Sequence, residues 1–157
     1  MIFEEGQLDT DGCNVRYWEA GKGRPVVMLD QTGWRESLLH DALAETYRVF
    51  SIELPGTGDS PVNTQSNSIA DLAAAAAAAA TALTSERYTL LGTSFGAHVA
   101  LWQAIQSPDQ VEALVLISPP IFQPLSVPDN ATAQNVHGLM FARSEEHTSE
   151  LQSRETI

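Results

Sequence analysis

One stretch constrains the fold more than any other: Thr89-Leu90-Leu91-Gly92-Thr93-Ser94-Phe95-Gly96-Ala97-His98-Val99-Ala100-Leu101-Trp102. It reads as an apolar strand, a Gly-x-Ser-x-Gly turn and a helix. A strand that passes directly into a helix through such a turn leaves a serine hydroxyl at its tip. Gly92 and Gly96 have a steric reason to be there. The turn drives the serine into a strained backbone conformation, and a Cβ on either flank collides with the neighbouring strand or helix. Ser94 is therefore expected at the C-terminal edge of a central strand. A serine hydroxyl is a poor nucleophile at neutral pH, so one displayed this way needs a histidine and an acid.

The rest of the chain supplies the sheet that such a turn requires. Asp11-Gly12 is a two-residue hairpin signal, and Val15 and Tyr17 alternate with Arg16 and Trp18 in the strand that follows. Pro25-Val26-Val27-Met28-Leu29 is apolar on both faces, as in a strand covered by helices on each side. A helix is expected over 35–45, with Leu38, Leu39 and Leu43 on one face. A strand over 47–53 follows, and then a helix opened by the capping box Ser68-Ile69-Ala70-Asp71. That helix carries the alanine run 73–80. Alanine has the best helix propensity and lets a helix lie close to a sheet, so the run reads as a packed helix, not a disordered tract. Strands over 88–91 and 111–117 bracket a helix over 95–106. A hairpin followed by repeated strand–helix units predicts an α/β fold with a mostly parallel sheet.

Size and charge narrow the function. The chain has 157 residues, of which 43% are hydrophobic, enough for one domain with a substantial core. A formal charge of −12 disfavours nucleic acid and anionic membrane surfaces as partners. Cys13 is the only cysteine, which excludes an internal disulfide and fits a reducing compartment. The first ten residues, MIFEEGQLDT, lack the basic and apolar regions of a signal peptide, and no apolar run is long enough to span a bilayer. The expected location is the cytoplasm. Cys and His are too few at ligand spacing for a structural zinc site, and no cofactor is expected.

Three stretches between Val15 and Pro120 together resemble the N-terminal part of an α/β-hydrolase of the esterase, haloperoxidase-like and C–C-hydrolase group: PVVMLDQTGW, SIELPGTGDSP and LLGTSFGAHVALWQAIQSPDQVEALVLISPP. The first resembles the family's third strand and oxyanion loop. The second resembles its D-L-P-G-x-G-x-S loop, with Glu53 in place of the aspartate. The third resembles its nucleophile elbow. The resemblance implies that Ser94 is the nucleophile, with Gly92 and Gly96 flanking it. It implies oxyanion donors at the backbone N–H groups of Phe95 and Thr32, each worth about 3 kcal/mol in the transition state. It also implies a small-molecule ester, thioester, amide or C–C substrate. The chain departs from the pattern at Asp30-Gln31, where the family has His-Gly. Gln31 adds a Cβ, and Asp30 brings a negative charge toward an anion-stabilising site. Trp34 reads as core in preference to a pocket wall.

The family order is Ser, then Asp or Glu after a later strand, then His after the last strand. The four histidines are His40, His98, His137 and His147, and none follows an eighth strand. After the sixth strand stands Ser118-Pro119-Pro120, with no acid, and Asp129 falls further on. Residues 1–120 are thus expected to form the front of the hydrolase core, and 121–142 the start of a cap. Residues 143–157, RSEEHTSELQSRETI, resemble the translation of a sequencing adapter and are expected to be a non-native tail that packs against nothing. The expectation is a serine hydrolase fragment, inactive for want of acid and base. The competing reading is a non-catalytic α/β-hydrolase-like protein that binds a ligand or partner.

Overall fold

Five consecutive buried residues, Pro25–Leu29, mark the centre of the sheet. In the computed structural model, which describes residues 1–10, 13–30, 33–64 and 66–120, they form β3. β1 (Glu4–Thr10) and β2 (Cys13–Ala20) form the antiparallel hairpin, in the register Thr10↔Cys13 to Glu4↔Glu19. The Asp11-Gly12 turn itself lies outside the described residues. β4 (Arg48–Ile52), β5 (Tyr88–Thr93) and β6 (Val111–Ile117) complete a six-stranded sheet ordered β1-β2-β4-β3-β5-β6. β2 pairs antiparallel with β4, and the contacts β4–β3, β3–β5 and β5–β6 are all parallel. The expected mostly parallel sheet with an N-terminal antiparallel hairpin is the one found.

Each parallel step is bridged by a helix. α1 (Leu38–Ala44) packs on one face, where Ala44 joins Ala20, Val26, Met28, Val49 and Leu91. α2 (Ile69–Leu83) and α3 (Phe95–Gln106) cover the other face over Val27, Leu29, Ile52 and Leu90. Two-sided coverage explains why β3 is continuously apolar where the hairpin alternates. β6 lies at the sheet edge and is more exposed, with Val115 and Ile117 partly open to solvent.

Local signals set the helix ends. The Ser68 side chain accepts from Asp71 N–H, and the Asp71 carboxylate accepts from Asn67 N–H, so both sides of the α2 start are satisfied. α1 begins later than the expected residue 35, because Ser37 is its N-cap and accepts from His40 N–H. This shift also changes its buried face. Leu38 is 87% exposed and Leu39 is exposed, while His40 and Ala44 point inward. β5 runs two residues beyond the expected Leu91, up to the residue before Ser94.

The alanine run serves close packing. Ala73, Ala76, Ala79 and Ala80 are fully buried against the sheet and α3, whereas Ala74 faces solvent. Ala76→Leu forces extra methylenes into a filled interface and should cost about 1–3 kcal/mol. Ala74→Lys should stay within about 0.5 kcal/mol of the parent. Chemical denaturation of the two variants checks this, and equal costs would mean that α2 does not pack as described.

Candidate active site

Ser94 stands between the last residue of β5 and the first of α3, with φ 49° and ψ −116°. A non-glycine residue there carries backbone strain, which persists only where its surroundings over-determine it. Those surroundings are tight. A Cβ on Gly96 would lie 2.0 Å from the Leu29 carbonyl oxygen, and one on Gly92 would lie 2.5 Å from both Ala97 Cα and the Gly96 oxygen. The first turn of α3 therefore presses on the end of β3, and its underside presses on β5. Ser94 N–H donates to the Ile117 carbonyl at 2.9 Å, which extends the β5–β6 ladder by one residue. The Ser94 side chain does not cap α3. Phe95 opens α3, where a backbone N–H has no acceptor within the helix. Thr32 and Gln31 lie outside the described residues.

Asp30, directly after β3, reaches across this junction. Its Oδ1 accepts from Thr93 Oγ1 at 2.8 Å, and its Oδ2 lies 3.1 Å from His40 Nε2. The ring N–H sits off the ideal hydrogen-bond line, so the second contact is mainly electrostatic. Burial pushes the Asp30 carboxyl up. The interactions with His40 and with the Thr93 and Ser51 hydroxyls outweigh burial and hold it below the ordinary carboxylate range. The other ring nitrogen of His40, Nδ1, is 2.7 Å from Ser37 Oγ. Both of its nitrogens are thus committed away from Ser94.

Glu53 does the same for the neighbouring loops. Its buried carboxylate accepts from the backbone N–H groups of Trp34 at 3.0 Å, Asp59 at 3.1 Å and Ser60 at 2.8 Å. Gly33 and Gly58, both at positive φ, leave room for it, since a Cβ on Gly58 would lie 2.0 Å from Glu53 Oε2. The Trp34 ring stacks on Trp18 with centroids 5.0 Å apart and meets Phe3 and His40 edgewise or tilted at 4.9 Å. Its role is packing, with one edge on a narrow recess shared with Asp30, Ser51 and Glu53.

His98 lies one turn into α3, and burial lowers its pKa, so the neutral ring is favoured. His137 and His147 lie outside the described residues, as does the expected tail 143–157. The Asp30–His40 contact is the feature that pattern reading missed. Its only local trace is Ser37-x-x-His40, the spacing of a cap, and nothing near it in sequence points to Thr93. Ser118, which follows β6 beside Ser94, also has φ 49°, and no motif announced it. Among the described residues no group of three or more His, Cys, Asp or Glu side chains could hold a metal ion, and no helix is long and apolar enough to cross a membrane.

Two tests follow from this geometry. Gly96→Ala drives a Cβ into the Leu29 carbonyl and should cost about 3 kcal/mol, at the upper end for overpacking, by denaturant titration. His98 binds protons less readily folded than unfolded, so stability should be full above about pH 6.5 and decline as pH falls below that value. His98→Asn should flatten this slope in thermal melts between pH 5 and 7. An unchanged slope would assign it to another group.

Comparison with known proteins agrees with this architecture. The family model described as alpha/beta hydrolase fold matches residues 24–140. The chain is 32% identical over 117 residues to the dihydrolipoyllysine-residue acetyltransferase component of the acetoin cleaving system of Cupriavidus necator, covering 71% of this chain and 31% of that protein. It is 35% identical over 124 residues to 2-hydroxy-6-oxononadienedioate/2-hydroxy-6-oxononatrienedioate hydrolase 2 of Pseudomonas putida, covering 73% and 42%. Among solved structures, the epoxide hydrolase CorEH superposes with a TM-score of 0.66 at 27% identity, over 82% of this chain and 47% of that one. The chain thus spans less than half the length of these relatives. With the matched region running through the whole parallel sheet, the chain belongs to the α/β-hydrolase fold family.

Proposed function

We propose that this chain carries the nucleophile portion of a serine hydrolase acting on a small-molecule ester, thioester, amide or C–C substrate. The observation that carries the reading is Ser94 itself, at φ 49° and ψ −116° between β5 and α3, with no room for a side chain at Gly92 or Gly96. In this reading Gly92 and Gly96 form the elbow that exposes the Ser94 hydroxyl. Ser94 Oγ attacks the substrate carbonyl carbon and gives its proton to a histidine base. The oxygen that gains negative charge is met by the backbone N–H groups of Phe95 and Thr32. The substrates named for the P. putida relative favour a carbonyl compound of this size, and no cofactor is needed for such chemistry.

Among the described residues the base is the missing element. His40 is held by Asp30 and Ser37, and His98 sits on α3 where burial favours its neutral form. We assign the acid and the base to a part of the family fold that these residues do not span, and residues 121–142 to the start of a cap. The 157-residue chain by itself is then catalytically silent. The acidic charge favours a protein that binds neither nucleic acid nor anionic membrane surfaces. The non-catalytic alternative draws on one observation, the Asp30 carboxylate close to the place where an anion would form.

The deciding experiment expresses the complete reading frame that contains these residues and follows p-nitrophenyl acetate hydrolysis. Ser94→Ala should lower kcat by roughly 10³-fold or more, since nucleophile and base act as a unit. The 157-residue chain should show no Ser94-dependent turnover. Full-length protein without Ser94-dependent activity on any acyl substrate would favour the binding role. Turnover by the short chain that Ser94→Ala abolishes would place a base within it, at His98 or His137.

A further inference from the structure

The geometry points to Ser37 as a second reactive serine, the outer end of a Ser37–His40–Asp30 relay that accepts one acyl group from an activated ester. This inference goes beyond the serine-hydrolase reading and does not depend on the role of Ser94. Ser37 is exposed, and its Oγ lies 2.7 Å from His40 Nδ1. The opposite ring nitrogen, Nε2, lies 3.1 Å from Asp30 Oδ2. Thr93 Oγ1 donates to the other carboxylate oxygen at 2.8 Å and holds it in place. An acid, an imidazole and a hydroxyl therefore stand in series, from half-buried Asp30 through buried His40 to the surface.

The order of these groups fixes the proton. Asp30 is ionised, since its carboxyl is held below the ordinary carboxylate range despite burial. A lone pair on Nε2 would face that charge, so Nε2 carries the ring proton and Nδ1 is left as the acceptor. The Ser37 hydroxyl then donates to Nδ1. His40 is 3% exposed, and the rings of Trp34 and Phe3 meet it edge-on at 4.9 and 5.8 Å, which restricts its rotation. Ser37 also caps α1, but the contact from His40 N–H is 3.4 Å long, so the ring contact is the tighter of the two.

A serine whose proton acceptor is in place, and is itself oriented by an acid, is an activated nucleophile. Ser37 Oγ attacks the ester carbonyl carbon, and its proton passes to His40 Nδ1. The imidazolium so formed faces the Asp30 charge, which stabilises it. The Oγ–C bond forms, the bond from that carbon to the leaving oxygen breaks, and His40 gives up the proton to the leaving group or to water. Ser37 ends as an ester beside a free alcohol or phenol, with no change of oxidation state.

The chain contains its own comparison. Ser68 is exposed and caps α2 at φ −144° and ψ 165°, against φ −142° and ψ 159° for Ser37. Three residues on, however, it meets Asp71 where Ser37 meets His40. The test uses the protein encoded by the complete reading frame, carrying Ser94→Ala so that this hydroxyl does not compete. After brief exposure to p-nitrophenyl acetate and an acid quench, peptide mass spectrometry gives the initial acetylation rates of Ser37 and Ser68. Ser37 should react about 10²-fold faster, at the lower end of general-base assistance. His40→Gln removes the acceptor and should bring the ratio to about one. Asp30→Asn should lower it about tenfold or more. With Thr93 donating to the amide oxygen, the amide N–H group faces Nε2, so Nδ1 takes the ring proton and cannot receive that of Ser37. Should His40→Gln and Asp30→Asn fail to fold, the ratio in the Ser94→Ala protein decides alone. A ratio near one there, or a high ratio that His40→Gln leaves unchanged, overturns the inference. The role of Ser94 is read separately, from turnover by the unsubstituted protein, so either reading can fail while the other stands.

Discussion

The close approach of α3 to the end of β3 is the contact on which the rest of the structure depends. With a Cβ at 96 lying 2.0 Å from the Leu29 carbonyl oxygen, the first turn of the helix fits there only with glycine at its second residue. That approach forces the chain between β5 and α3 to turn within one residue, and Ser94 takes up the turn at φ 49°. The same approach explains the small residues along α3. Ala97 and Ala100 are fully buried, and both lie against the position where Gly92 lacks a side chain. α2 then packs beside α3 through its own alanine face. A strained residue survives because its neighbours leave no alternative, and here the neighbours are backbone atoms that cannot move aside cheaply.

Around this rigid junction two carboxylates organise the loops. Glu53 collects three backbone N–H groups from two loops, and Asp30 collects side chains from two strands and a helix. A buried or half-buried carboxylate is tolerated only where such donors satisfy it. The division of labour is physical. Glu53 shapes backbone locally, over separations of 6 to 19 residues, while Asp30 reaches Thr93 across 63. Local shaping leaves a motif in the sequence, and long-range bridging does not.

That distinction explains what could be read from the residues alone. The strand–turn–helix around Ser94, the Ser68 cap, the two-sided apolar strands and the packed alanine helix were all legible, because each rests on periodicity, propensity or a steric demand within a few residues. α1 was not. Leu38, Leu39 and Leu43 have helical spacing, but Ser37 caps the helix in a phase that turns Leu38 and Leu39 outward and His40 inward. There a cap and a pairing to Asp30 outweigh apolar pattern. The reach of β5 to Thr93 was missed for a related reason, since its last residues are fixed by pairing with Ile117 and by Asp30. At the site, Ser94, Gly92 and Gly96 were visible as a motif. Asp30 was visible only as a departure, with a sign of charge that looked unfavourable.

The surroundings of Asp30 change the meaning of that charge. An isolated carboxylate beside an oxyanion site opposes catalysis, because two negative charges a few ångströms apart repel strongly where water is excluded. Here the carboxylate accepts from Thr93 and faces the imidazole of His40, so much of its field is spent on groups already in place. A residue at 30 with no acceptor would leave the Thr93 hydroxyl and the His40 ring without their partner in a tight junction. Asp30 and His40 are therefore best understood as one unit. Neither fits this site without the other.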